Sequence, residues 1–389
     1  MTLTFGAFVP PFRSLAENPT TSLRFDLELV ERLDALGFDE VWVGEHHSGG
    51  LSPVSSPELF LAAAAERTRR IRLGTGVVSL PFHHPLTVAE RIVQLDHQSS
   101  GRAMLGMGAG TSPLDARMLG IDPAHQRRRM SESLDVLVRL LTTDERITQS
   151  TDWFELHDAA LQVRPCSKPL DMVVAGVGSD LGARLAGRHG LGLLTAIGRL
   201  GRQGPSPAMM WQALQEEASR YGRAADRSRW RISVPVHVAE TREEALAQVQ
   251  SGLSRWFRYN REVPKIPVPL PEGQEAAAAS EQGLMIIGSV ADAIERIEQI
   301  RSVTGGFGTL LVHTQDWASR EHVHQSFELL ARHVVPHFAK ALDSLRAARQ
   351  WVAACSSITP SAPDAPGPVL RSGAAPRWPA PRACFRSGS

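Results

Sequence analysis

Residues 45–50 read Glu-His-His-Ser-Gly-Gly and follow directly on a short apolar run at 40–44. An imidazole ionises near neutral pH, so His46 and His47 can take up or release a proton if that run is a strand opening onto a catalytic face. A pair of solvent-facing loop histidines is the plain alternative. A metal centre is the third, and the sequence argues against it. The first strand has no His-x-His, and no carboxylate cluster is recognisable.

A second chemistry is written at Gly176, Val177, Gly178, Ser179 and Gly182, ahead of a helical pattern. Glycines let backbone N–H groups turn toward an anion, and a helix N-terminus adds partial positive charge. Ser179 can supply a hydroxyl and cap that helix. A dinucleotide loop would expect an acidic residue at the end of the next strand, which instead ends at Thr195. A cradle for one phosphate remains, against a tight turn that binds nothing. Gly106, Gly108 and Gly110 form another group that permits close approach to a flat ring or a phosphate, and on their own are not diagnostic. Arg127, Arg128 and Arg129 open a helix as a solvated face, from which one could reach an anion. His83, His84, His322 and His324 read as structural or surface residues.

The elements that must position these residues alternate along the chain. Strands are expected at 4–9, 40–44, 71–78, 103–108, 171–176, 191–195, 230–240 and 307–313, several of them nearly continuous Val, Ile and Leu. That composition suits parallel strands buried on both faces. Between them lie helical patterns such as 23–37, with Leu23, Leu27, Val30 and Leu33 near a 3.6-residue period. Eight strands with intervening helices fit a (β/α)8 barrel, with a doubly wound sheet as competitor. Residues 145–165 alternate like an inserted hairpin, and 258–283 form a long Pro/Gly-rich loop, read as a mobile lid. The expected domains are a barrel over 1–348 and a Pro/Ala/Arg-rich disordered tail over 349–389.

Charge excludes some partners. Lys plus Arg number 42 against 41 Asp plus Glu, which gives no global field for nucleic acid or an anionic membrane. No run approaches the ~20 apolar residues of a membrane span. The opening MTLTFGAFVPPF has neither a basic region nor a long apolar stretch, and the three cysteines form no CxxC pair. The expectation is a cytoplasmic protein without disulfides.

Taken in order, EVWVGEHHSGG (40–50), RLGTGVVSLPFHHP (72–85), GMGAG (106–110) and DPAHQRRRMSESLDVLVRLL (122–141) resemble the bacterial luciferase-like flavin monooxygenases. The resemblance continues through VVAGVGSDLGARLAGRHGLGLLT (173–195) and GSVADAIERIEQI (288–300) to GGFGTLLVHTQDWASRE (305–321), collinear over about residues 4–340. The last stretch and TDWFELHDAALQVRP (151–165) resemble the limonene-monooxygenase-like subgroup.

That resemblance implies a TIM barrel using reduced FMN (FMNH2), supplied by a separate flavin reductase, with O2 as co-substrate. A flavin C4a-(hydro)peroxide would then oxygenate a small hydrophobic organic substrate by hydroxylation, epoxidation or Baeyer–Villiger insertion. His46 matches the family's catalytic histidine, with Glu45 and His47 orienting it. Gly76–Val77 matches a non-prolyl cis peptide beside the flavin ring, with Ser79 just beyond and Gly108 in the matching fourth-strand glycines. Arg127 matches an arginine near the FMN phosphate, and Gly176, Val177, Gly178 and Ser179 match the phosphate loop. Two positions depart from the luciferases: Ala109 stands for an arginine and Gly176 for a glutamate. The resemblance further implies a lid at 258–283 and a homodimer. Rival readings are a deazaflavin-dependent dehydrogenase on the same fold and a non-catalytic flavin-binding subunit.

Overall fold

The computed structural model describes residues 2–9, 17–50, 53–110, 112–176, 178–198 and 204–355. Eight parallel strands close on themselves: β1 (Thr4–Val9), β2 (Glu40–Val43), β3 (Arg72–Thr75), β4 (Ala103–Gly108), β5 (Asp171–Ala175), β6 (Gly192–Ala196), β7 (Trp230–Val238) and β8 (Thr309–His313). Each pairs with the next, and β8 pairs back to β1, so the sheet has no free edge between them. Every residue of β4 and β7 is buried; β4 is accordingly apolar without alternation, while β7 buries Arg231, Ser233 and His237 between its apolar residues.

The helices on the outside are α1 (Pro19–Leu36), α2 (Pro57–Arg67), α3 (Pro85–Gln98), α4 (Gln126–Thr142), α5 (Leu181–His189), α6 (Pro207–Arg220), α7 (Arg242–Glu262), α8 (Val290–Thr304) and α9 (Arg320–Leu329). The expected hairpin is present as Ile147–Ser150 against Glu155–Ala159. Inside the barrel, Trp42, Met104, Val173, Leu194 and Leu311 make one packed layer. Gly74 leaves room for the Trp42 ring, since a Cβ there would lie 2.5 Å from it. Among the described residues no helix is long and apolar enough to cross a membrane.

Three expected boundaries move. The strand foreseen over 71–78 breaks after Thr75, where Gly76–Val77 is a cis peptide, and resumes as Val78–Ser79 beside β4. The stretch 258–283 is not one long loop. The apolar stripe Val249, Leu253, Phe257 carries α7 to Glu262, and the alanine-rich Glu275–Glu281 is a helix of its own. Only 263–274 and the turn at 282–283 lie outside helices, and a short strand, Ile286–Gly288, adds to the end of β7.

The chain divides into two compact units, 1–341 and 342–389. In the second, Asp343–Cys355 is helical, so the boundary expected at 348/349 falls inside a helix. Residues 356–389, the rest of the expected tail, lie outside the described residues.

Candidate active site

Strand β2 ends at Val43, and the chain beyond it carries Glu45, His46 and His47 at the C-terminal mouth of the barrel, the end where barrel enzymes place their chemistry. Glu45 is 6% exposed, and both of its oxygens are engaged. Oε1 lies 2.7 Å from His47 Nε2 and 2.9 Å from His83 Nε2, while the Ser79 N–H donates to Oε2 at 2.9 Å. Burial alone would raise this carboxyl, but the three partners outweigh it and hold the pKa at about 2. The hydrogen bond to Glu45 in turn raises the pKa of His47, against the effect of burial.

Ligand atoms of Glu45, His47 and His83 fall within 4.8 Å of one another, a grouping that could hold a metal ion and that the sequence did not reveal. Ring nitrogens this close to an ionised carboxylate must donate to it, however. As it stands, the trio is a hydrogen-bonded cluster centred on Glu45.

His46 turns to a different carboxylate. Its Nδ1 is 3.1 Å from Oδ2 of Asp115, and Ser48 Oγ donates to Oδ1 of the same residue. Asp115 sits on a one-and-a-half-turn helix, Pro113–Met118, whose cap Ser112 accepts its backbone N–H at 3.3 Å. Burial raises the Asp115 carboxyl, and the hydrogen bonds from His46 and Ser48 overcome that to bring it to about 2. An ionised partner at Nδ1 keeps the ring proton there and leaves Nε2 as the nitrogen able to accept a proton.

A cavity of about 710 Å³ lies against this group, lined by Glu45, His46, Gly76, Val77, Ser79, Gly108 and, toward α4 and α5, by Arg127, Gly178 and Ser179. One wall is backbone: the cis Gly76–Val77 peptide faces Gly108, where a Cβ would come 2.7 Å from the Val77 side chain. Elsewhere Gly178 adopts φ +81°, and Gly182 brings α5 against β5 so tightly that a Cβ would lie 2.0 Å from the Ala175 carbonyl oxygen. Of the three arginines, Arg128 is committed to Asp152 and Glu132, and Arg129 lies over the Trp153 ring at 5.1 Å. Arg127 alone of the three lines the cavity. A second cavity of about 650 Å³ meets the first at His46, Gly198, Pro235 and His313, and is walled by the end of α7 and by residues 263–266.

A family model for the luciferase-like monooxygenases matches residues 3–306. The chain belongs to that family. It is 49% identical over 361 residues to the 4-hydroxyprotoasukamycin monooxygenase of Streptomyces nodosus subsp. asukaensis, covering 90% of this chain and 96% of that one. The limonene 1,2-monooxygenase of Rhodococcus erythropolis is 44% identical over 335 residues, 86% of each chain. Among solved structures, the oxygenating constituent of 3,6-diketocamphane monooxygenase from Pseudomonas putida, in complex with FMN, superposes with a TM-score of 0.72 at 25% identity, over 86% of this chain and 99% of that one. An F420-dependent glucose-6-phosphate dehydrogenase of Intrasporangium calvum matches only 51% of the chain, at 36% identity. The enzyme therefore sits with the limonene-type monooxygenases.

Of the residues singled out from sequence, Glu45, His46, Gly76, Val77, Ser79, Gly108, Arg127, Gly178 and Ser179 all line the first cavity of the enzyme. His47 stands behind that wall, reaching the site through Glu45. Gly176 does not line the cavity, and a Cβ there would face Leu193 and Met210. Val177 lies outside the described residues. His83, read from sequence as structural or surface, is the second histidine on Glu45. The sequence reading missed Asp115 and His313. The first carried a local signal, the Ser112-x-x-Asp115 capping pattern, and the second ends a barrel strand.

Proposed function

We propose that the enzyme is an FMNH2-dependent monooxygenase that transfers one atom of O2 to a small hydrophobic organic substrate by hydroxylation, epoxidation or Baeyer–Villiger insertion. The observation that carries this reading is the first cavity, in which the His46–Asp115 pair, a backbone wall and the Arg127 side chain converge. Residues and group fit: Arg127, Ser179 and the amides before α5 would hold the phosphate, while Gly108 and the Gly76–Val77 peptide line a wall against which a flat ring could lie. Bound there, reduced FMN would supply the electrons that activate O2.

The chain's own part is positional and protolytic. His46 holds its proton on Nδ1 against Asp115 and offers Nε2 as the site where a proton is received and returned. Glu45 ties His47, His83 and the Ser79 amide into one unit behind it, which fixes the wall at Ser79. The second cavity, apolar through Trp256, Phe257, Val263 and Met285, takes the substrate and keeps water from the junction. A separate reductase supplying FMNH2, and a homodimer, belong to the same proposal.

The test mixes the protein with photoreduced FMN, 18O2 and, in separate runs, limonene or 4-pentylcyclohexanone as probe. One 18O atom in the product is expected, with loss of turnover in His46→Ala. Oxidation of reduced deazaflavin without 18O incorporation would instead establish the dehydrogenase reading, which the F420-dependent relatives favour. Equal turnover by His46→Ala would remove His46 from its role.

A further inference from the structure

The end of β8 presents three polar side chains at alternate positions, His313, Gln315 and Trp317, and all three line the second cavity. The His313 ring is clamped between Phe8, at a centroid distance of 5.4 Å, and Trp317, stacked at 5.7 Å with 14° between planes. Its Nε2 faces the Gln315 amide nitrogen at 3.1 Å. A side-chain amide N–H that donates to Nε2 leaves the neutral ring with its proton on Nδ1, and Nδ1 has no hydrogen-bond partner among the described residues. Burial keeps the ring neutral, with the pKa lowered to about 4.

Gln315 is 5% exposed and Trp317 6%, yet among the described residues Gln315 Oε1 and Trp317 Nε1 have no hydrogen-bond partner. Native interiors rarely leave such groups unpaired, and a cluster of them on one cavity wall is what remains when a polar ligand supplies the missing partner. The lining from Trp256 to Met285 is mostly apolar, with Tyr259, Asn260 and Lys265 as its polar members. Among the described residues, the unpartnered buried polar atoms of this lining belong to Gln315 and Trp317, beside His313 where the cavity joins the flavin-sized one.

We propose that His313, oriented by Gln315, recognises the substrate, and that the substrate is a lipophile carrying a hydroxyl or carbonyl oxygen that accepts a hydrogen bond from Nδ1–H. This rests on the reading that the second cavity takes the organic substrate. Its apolar body lies along Trp256 and Met285, and the oxygen orients the carbon to be oxygenated toward the junction with His46.

Binding tests it without turnover. Calorimetric dissociation constants are measured on the full chain for two matched pairs, 4-pentylphenol with pentylbenzene and 4-pentylcyclohexanone with pentylcyclohexane. The preference for the oxygenated member should fall about tenfold in His313→Phe, the value of one hydrogen bond, and be partly restored in His313→Asn, whose amide still donates. Gln315→Leu, which removes the orienting partner, should weaken the same preference if His313→Phe fails to fold. An unchanged ratio in the variants for both pairs, or no binding of either oxygenated probe, overturns the proposal. The 18O experiment is read separately. A shifted ratio without oxygen transfer would refute the monooxygenase reading while leaving the recognition corner standing.

Discussion

Asp115 determines which nitrogen of His46 can act as a base, because only Nδ1 faces it, at 3.1 Å. Asp115→Asn removes the charge while keeping the shape, so turnover should fall about 100-fold with FMN affinity unchanged, as steady-state kinetics and flavin titration would show. A fall in FMN affinity alone would contradict this role. Glu45 makes the complementary case through pH. Its carboxyl is depressed from 4.5 to about 2, so its contribution is complete above about pH 4.5 and is lost as pH falls toward 2. His47 is raised above 6.5, so its contribution is complete below pH 6.5 and is lost as pH rises through its raised value. The thermal midpoint should therefore be flat between these limits and decline outside them. Glu45→Gln should lower it throughout and flatten the alkaline limb. The Glu-His-His run was legible because three polar residues ended an apolar strand. Its partners were not, since Asp115 and His83 reach it from 69 and 38 residues away and only a closed barrel brings them together.

At the scale of elements, the seat of α5 on β5 decides how well an anion is held. Gly182→Ala drives a Cβ into the Ala175 carbonyl, a backbone atom that cannot yield cheaply. It should cost about 1–3 kcal/mol in denaturant titration and weaken FMN binding as the helix N-terminus shifts. Across the cavity, Arg127→Ala should weaken FMN roughly 10–100-fold with a reduced salt dependence, whereas Arg128→Ala, already paired with Asp152, should bind FMN as the parent does. Equal losses in the two variants would mean that the run acts as a diffuse basic surface. The glycine loop was readable from the φ and close-approach demands that only glycine meets. The wall at 258–283 was misread because its prolines masked the continuing stripe of α7 and the helix-forming alanines of Glu275–Glu281. Tyr259 Oη, which donates to the Gly49 carbonyl at 2.8 Å, couples that wall to the loop bearing His46. No single-sequence pattern announces such a contact between residues 210 positions apart.

The closed barrel has two chemically distinct ends, and the one opposite the site carries a buried ion cluster. Arg231, 3% exposed, donates to both Glu40 oxygens at 2.8 and 2.9 Å and to Asp171 at 2.7 Å, with Arg72 on the far side of Asp171. The guanidinium also lies over Trp42 at 5.2 Å. These groups sit at the first or second residues of β2, β3, β5 and β7, so the cluster fastens strands remote in sequence. Eight strands were legible from apolar runs and spacing. Closure was legible through the family resemblance rather than the local pattern, which a barrel and a doubly wound sheet share until β8 meets β1. Arg231→Met keeps the length but takes the bidentate partner from buried Glu40 and leaves Asp171 to Arg72 and Arg229, at an expected cost of about 3–5 kcal/mol. Burial would then raise Asp171, which Arg231 and its neighbours now hold down against it, so the variant's deficit should shrink as pH falls and the carboxyls take up protons. Denaturation midpoints at pH 5 and pH 8 check the sign: the gap to the parent should be wider at pH 8. Turnover per folded molecule should be preserved, since His46 lies past the other end of β2. A deficit independent of pH would mean that Arg231 acts only through its packing on Trp42.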